Sequence, residues 1–176
     1  VPVVGPERFE TVPAGLATLE TEDRTGLAAF QRETAELQRQ VLGARRSLSE
    51  VKRRVALLER ALLDTPAAGP EHFERLHQLE QRLLDLEETL VGDRTRASRN
   101  APTLPSIAGR VAQVVEGHWQ ATSPPTETHR RNLEIAAEQF EQWRPKFRAL
   151  VEDDLGALEQ QAESLGAPWT PGRLGE

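Results

Sequence analysis

From Leu27 to Leu62 the apolar or small residues fall at Leu27, Phe30, Thr34, Leu37, Val41, Ala44, Leu48, Val51, Val55, Leu58 and Leu62, in unbroken alternation of three- and four-residue steps. This is a heptad seam, and it predicts one helix of about forty residues, about 60 Å long at 1.5 Å per residue. The only glycine within it, Gly43, lies off the seam, and no proline intervenes before Pro66. Such a helix is far longer than the usual globular one and needs partners along its whole length. The rest of the chain must supply them.

Thr21 and Asp23 are candidate N-caps for this helix. Pro66, Gly69 and Pro70 break the pattern and predict a hairpin corner over 64–70. A second helix follows from about Glu71 to Val91, stepping through Phe73, Leu76, Leu79, Leu83, Leu86 and Leu90. A polar loop spans Gly92 to Pro105. The third helix, Ser106 to about Gln120, carries Ile107, Val111, Val114 and His118 in the same stepping, with Val115 and Trp119 widening its apolar face. The fourth is expected from about Thr126 to Leu165, with Pro124 and Pro125 in its first turn and Ser123 or Thr126 as cap. Its seam is Leu133, Ala136, Phe140, Trp143, Phe147 and Leu150, and then slips by one residue to Leu155, Leu158, Ala162 and Leu165. Pro145 inside it should leave a carbonyl unbonded and bend the axis, with Trp143 and Phe147 filling the bend. Gly166 and Pro168 end it as a left-handed cap and a stop.

These lengths predict an all-α fold, an elongated antiparallel helical bundle in which two long helices flank two short ones, preceded by an extended N-terminal segment. The short pair together equals roughly one long arm. A broken arm running antiparallel between two parallel long helices is therefore favoured over an up-down-up-down four-helix bundle. Residues 24–166 form the bundle, 1–23 the lead-in and 167–176 a tail. The lead-in is proline- and glycine-containing with short β-prone stretches, and reads either as the last strand of an upstream domain or as a linker. A chain with no methionine that opens Val1-Pro2-Val3-Val4 is expected to be a processed product or a piece of a longer polypeptide. Nearly all its basic charge is arginine, as in GC-rich bacterial coding sequences.

The residues offer little catalytic chemistry. A net charge of −6 argues against a nucleic-acid surface, and no apolar run approaches membrane-spanning length. Cysteine and tyrosine are absent. No glycine-rich phosphate loop or nucleophile elbow is present. Glu74-Arg75-Leu76-His77 matches the Glu-x-x-His pair of di-iron bundles, but neither His118 nor His129 has a glutamate three residues before it, so His77 is read as a boundary or surface residue. The aromatic cluster around Trp143 is read as core. The run Glu152-Asp153-Asp154 points in different directions on a helix and is read as a solvated face. The basic stretch Arg45, Arg46, Lys52, Arg53 and Arg54 is assigned to ion pairs with Glu50 and with acids on neighbouring helices. Arg94, Arg96 and Arg99 could grip an acidic partner or lie over acidic helix faces. No catalytic, cofactor or metal residue is assigned.

One stretch carries a family signal. Gly166-Ala167-Pro168-Trp169-Thr170-Pro171-Gly172-Arg173-Leu174 resembles the closing stretch of bacterial sortilin-like (VPS10-type) β-propeller proteins, often labelled glycosyl hydrolases. Asp23-Arg24 resembles that family's Asp-Pro-Arg with the proline absent. Leu90 through Arg96 and on to Leu104-Pro105 resembles its middle loop, and Pro125-Thr126 the start of its last helix. The resemblance covers about Thr18 to the end and implies a helical C-terminal region of a larger exported protein, located outside the cell or in its envelope. It carries over no catalytic residue. The implied role is accessory, bracing an upstream β-propeller or mediating assembly with protein subunits, with Arg94, Arg96, Arg99, Trp169 and Arg173 as docking residues. The alternative is a self-contained coiled-coil adaptor or assembly subunit whose seams bind partner helices; the sequence leaves the oligomeric state open.

Overall fold

A computed structural model describes residues 22–118 and 121–170, together with the isolated positions 5, 8, 10 and 11. Most of the 1–23 lead-in, Trp119, Gln120, the 171–176 end of the tail with Arg173, and the side chain of Arg94 lie outside the described residues. The described residues form helices with no strand among them.

Helix α1 spans Arg24–Leu63 without interruption. Asp23 starts it, its carboxylate accepting the Gly26 N–H at 2.7 Å. Of the predicted seam, Leu27 and Ala44 are half-buried and every other member is buried. Thr34, the one polar member, donates its hydroxyl to the Phe30 carbonyl at 2.8 Å and so brings no unsatisfied donor into the core. Helix α2 spans Pro70–Val91. Pro70 is thus its first residue and not part of the corner, since a helix start needs no N–H there. Leu76, Leu79, Leu83, Leu86 and Leu90 are its buried face, with Phe73 packed at the margin.

The loop expected between Gly92 and Pro105 contains a short helix, α3, at Arg94–Ser98. Asp93 caps it by accepting the Thr95 and Arg96 N–H groups at 2.8 and 3.0 Å, and Asn100 ends it at φ 52°. Helix α4 covers Ile107–His118, and all four predicted seam residues are buried. Helix α5, Glu127–Ala149, is capped by Thr126, whose hydroxyl accepts the His129 N–H. Both prolines therefore precede the helix instead of forming its first turn. Pro145 lies within α5 without ending it.

A π-helical segment, Leu150–Leu155, then joins α5 to α6, Gly156–Ser164. The one-residue phase slip is the sequence trace of this segment. Five residues separate Leu150 from Leu155, and i→i+5 hydrogen bonding widens the turn enough for both to face the core, where they are 2% and 0% exposed. At the end of α6, Gly166 at φ 82° permits a Schellman closure. Its N–H donates to the Glu163 carbonyl at 2.9 Å and that of Ala167 to the Ala162 carbonyl at 3.0 Å.

The pairings between helices fix their directions. Lys52 on α1 meets Glu87 on α2, as antiparallel neighbours joined at the 64–69 corner must. Farther along α1, Phe30 packs on His118 at the end of α4. Thus α2 and α4 follow one another down α1. Arg110 of α4 bonds Asn132 of α5, while Arg82 and Arg75 of α2 meet Asp154 and Gln161. Arg130 lies over Phe30 at one end of α1 and Glu159 meets Arg54 toward the other, so α5 to α6 runs parallel to α1. This is the broken-arm order. Leu58, Leu62, Leu79, Leu90, Ile107 and Leu155 are among the most fully buried side chains at its centre.

Candidate functional site

The expected docking residues fall into two separate places. Arg96 and Arg99 sit on exposed α3, where Arg96 lies 3.9 Å from the Asp93 carboxylate of its own cap. Trp169 follows the end of α6. Arg75, in the second turn of α2, bonds Gln161 of α6, whereas α3 begins beyond Val91, about 24 Å farther along the helix at 1.5 Å per residue. The structure therefore does not bring the α3 arginines and Trp169 into one surface. Ala167 anchors the tail at 6% exposure, and two residues on Trp169 is 59% exposed. Next to the α3 loop Leu104 is 91% exposed.

A trough runs between α2 and the α5–α6 arm. Its middle section encloses about 600 Å³, with Leu86, Trp143 and Leu150 among its lining residues and Arg82, Asp85 and Lys146 among its charged ones. The indole of Trp143 donates to the Leu86 carbonyl at 2.9 Å and stacks between Phe140 and Phe147, so it is held as core. Polar pairs already cross the trough, Arg82 to Asp154 at 2.8 Å and Arg75 to Gln161 at 2.8 Å. Glu152 and Asp153 remain exposed. His77 is on the surface, 4.0 Å from Glu80. Among the described residues no three His, Cys, Asp or Glu side chains come together as a metal set, and no helix is long and apolar enough to cross a membrane.

Two polar features stand out in the interior. The first is Glu159, 1% exposed, whose carboxylate receives three bonds from two nitrogens of the Arg54 guanidinium at 2.8–3.2 Å. Arg54 belongs to the basic stretch of α1, and with Lys52 on Glu87 it places the partners of that stretch on neighbouring helices. Planar guanidinium and carboxylate match in two bonds, which fixes the rotation of α6 against α1.

The second is an imidazole pair where α1, α4 and the start of α5 meet. His118, 4% exposed, packs edge-on against Phe30 at 5.4 Å and His129 at 4.6 Å between ring centroids. Arg130 sits 5.8 Å over the outer Phe30 ring, a cation–π arrangement. The approach depends on Gly117, since a Cβ there would lie 2.6 Å from His129 Nε2. Neither His118 Nδ1 nor His129 Nδ1, both buried atoms, has a hydrogen-bond partner. Burial first, then the neighbouring His129 and Arg130, push the His118 pKa below its ordinary 6.5. Beside the pair lies a half-open groove of about 200 Å³ lined by Gln31, Thr34, Ala35, Gln38, Val115 and His118. The seam position of His118 was legible in the sequence; the adjoining Gly117 was the signal that another side chain comes close.

No family model matches the chain, and none of the curated proteins or solved structures compared with it matches either.

Proposed function

We propose that the chain is a non-catalytic accessory bundle that braces, or mediates assembly of, a larger exported protein, its upstream partner being the β-propeller that the tail resemblance implies. The observation that carries this reading is the inward closure of the seams. Leu37, Val41, Leu48, Val51, Val55 and Leu58 of α1 are all buried against helices of the same chain, so the apolar stripes that an adaptor would offer to partner helices are already occupied. One place left open to a partner among the described residues is the anchored tail, where Ala167 is held in the core and Trp169 projects. A large amphipathic ring fixed on a rigid support suits a docking residue.

The test is the intact mass and location of the native polypeptide, read with an antibody to the bundle on fractionated host cells. A species several times larger than 19.6 kDa in the envelope or medium is expected. A cytoplasmic product of that mass would overturn the proposal and return the adaptor reading.

A further inference from the structure

We propose that the Phe30–His118–His129 packing is an acid-sensitive latch: protonation of His118 releases α4 and the first turns of α5 from the N-terminal end of α1 while the Arg54–Glu159 end stays closed. The latch would operate whether or not the chain is an accessory bundle.

The geometry supplies the trigger. In the neutral state an unpartnered ring nitrogen costs one unfilled lone pair or one unfilled N–H. Protonation places a donor on both nitrogens and a full charge beside them, and His118 Nδ1 has no acceptor within reach. Among the described residues, the groups that face His118 from α5 are His129 and Arg130, both of which disfavour added positive charge. From α1 it meets the Phe30 ring, with Gln31, Thr34 and Gln38 across the groove. Within α4, the nearby Glu116 is exposed, on a face away from the packed ring. No carboxylate is among these packed neighbours to offset the charge. The same cation is harmless once the ring reaches water.

The two ends of the bundle differ in this respect. At the α6 end the buried charge is a carboxylate already met by a guanidinium. At the latch end, the ring that must stay neutral is the contact joining three helices. Opening would uncover Phe30 and Val115 next to the existing groove, converting a small cleft into a larger apolar surface.

The sign of the shift sets the direction of the pH effect. Folded His118 holds its proton less tightly than the opened form, so the opened form binds more protons as pH falls below the ordinary 6.5. The stabilisation of the closed latch is complete above that value. It is lost as pH drops, by about tenfold in the opening equilibrium per pH unit, until the folded ring itself protonates.

Amide hydrogen exchange on the full chain between pH 7.5 and 5, corrected for intrinsic rates, reads this directly. Opening of residues 107–118 and 127–133 should rise about tenfold per unit below 6.5, while that of 79–90 in α2 stays flat. His118→Phe keeps a ring against Phe30 and His129 and should abolish the rise. Because that variant could fail to fold, imidazole titration of the wild-type chain by NMR supplies the second readout, with His118 titrating below 6.5. Exchange in α4 that is flat with pH, an equal rise in α2, an unchanged rise in His118→Phe, or a His118 midpoint at or above 6.5 would each overturn the latch.

Discussion

Deleting Glu152 should leave the protein folded with nearly its original stability, and deleting Glu138 should not. Both residues are exposed on the same arm, and each deletion rotates the downstream part of the arm by about 100°, one residue's share of a 3.6-residue turn. The consequences differ because of the π segment. Between Leu150 and Leu155 the chain carries one residue more than a regular seam step, and the π turn absorbs it. Removing Glu152 turns the step of five into a step of four. A plain α-helix then delivers Leu155, Leu158 and Ala162 to the same core positions, with Asp154 still preceding Leu155 and within reach of Arg82. No buried side chain is lost, and the expected change is within about 1 kcal/mol. Removing Glu138 has no such reserve. It turns Phe140, Trp143 and Leu150 off the seam, and at about 1.5–3 kcal/mol for each large apolar side chain this totals about 5–9 kcal/mol, comparable to the whole stability of a domain. Urea unfolding followed by circular dichroism measures both. A Glu152 deletion that destabilises by more than about 3 kcal/mol would refute the view that the π turn is a tolerated insertion, and would show that its own geometry is required.

Other perturbations test separate parts of the fold. Arg54→Met removes the guanidinium bonds from the buried Glu159 carboxylate and should cost about 2–3 kcal/mol, below the usual range for a broken buried pair because Arg54 keeps contact with solvent; the double variant with Glu159→Leu should recover most of that loss in the same urea titration. Two glycine substitutions should have opposite signs. Gly43→Ala, in open space within α1, should stabilise by about 0.5–1 kcal/mol, whereas Gly166→Ala, at φ 82°, should cost about 1–2 kcal/mol. Thermal melts distinguish them, with the midpoint rising for one and falling for the other by about 2–4 °C per kcal/mol.

The heptad steps of α1, α2 and α4 predicted the buried face of each helix almost residue by residue, because burial there is set by local periodicity alone. The phase slip after Leu150 was visible too, but its resolution into a π segment was not. A slip of one residue can be met by a bend, a break or a widened turn, and packing of both halves against α1 and α2 decides among them. The Arg54–Glu159 pair was not legible for a different reason. Its members stand 105 residues apart, and each alone looks like an ordinary charge on a helix surface. Its burial emerges only when α6 lies against α1. For the imidazole pair the seam position of His118 was legible, but the approach of His129 was not, and Gly117 was its local trace. The α3 arginines and Trp169 were separate docking candidates in a sequence that carries no distance between them; the length of α2 keeps them apart.

If one chain closes its own seams, its mass in solution is that of a single chain. Sedimentation equilibrium over a wide concentration range should give a single species of 19.6 kDa that does not change with concentration. A mass of twice that value or more, with helicity lost on dilution as the assembly dissociates, would contradict it and show that the seams of α1, α2 and α5 are completed by other chains.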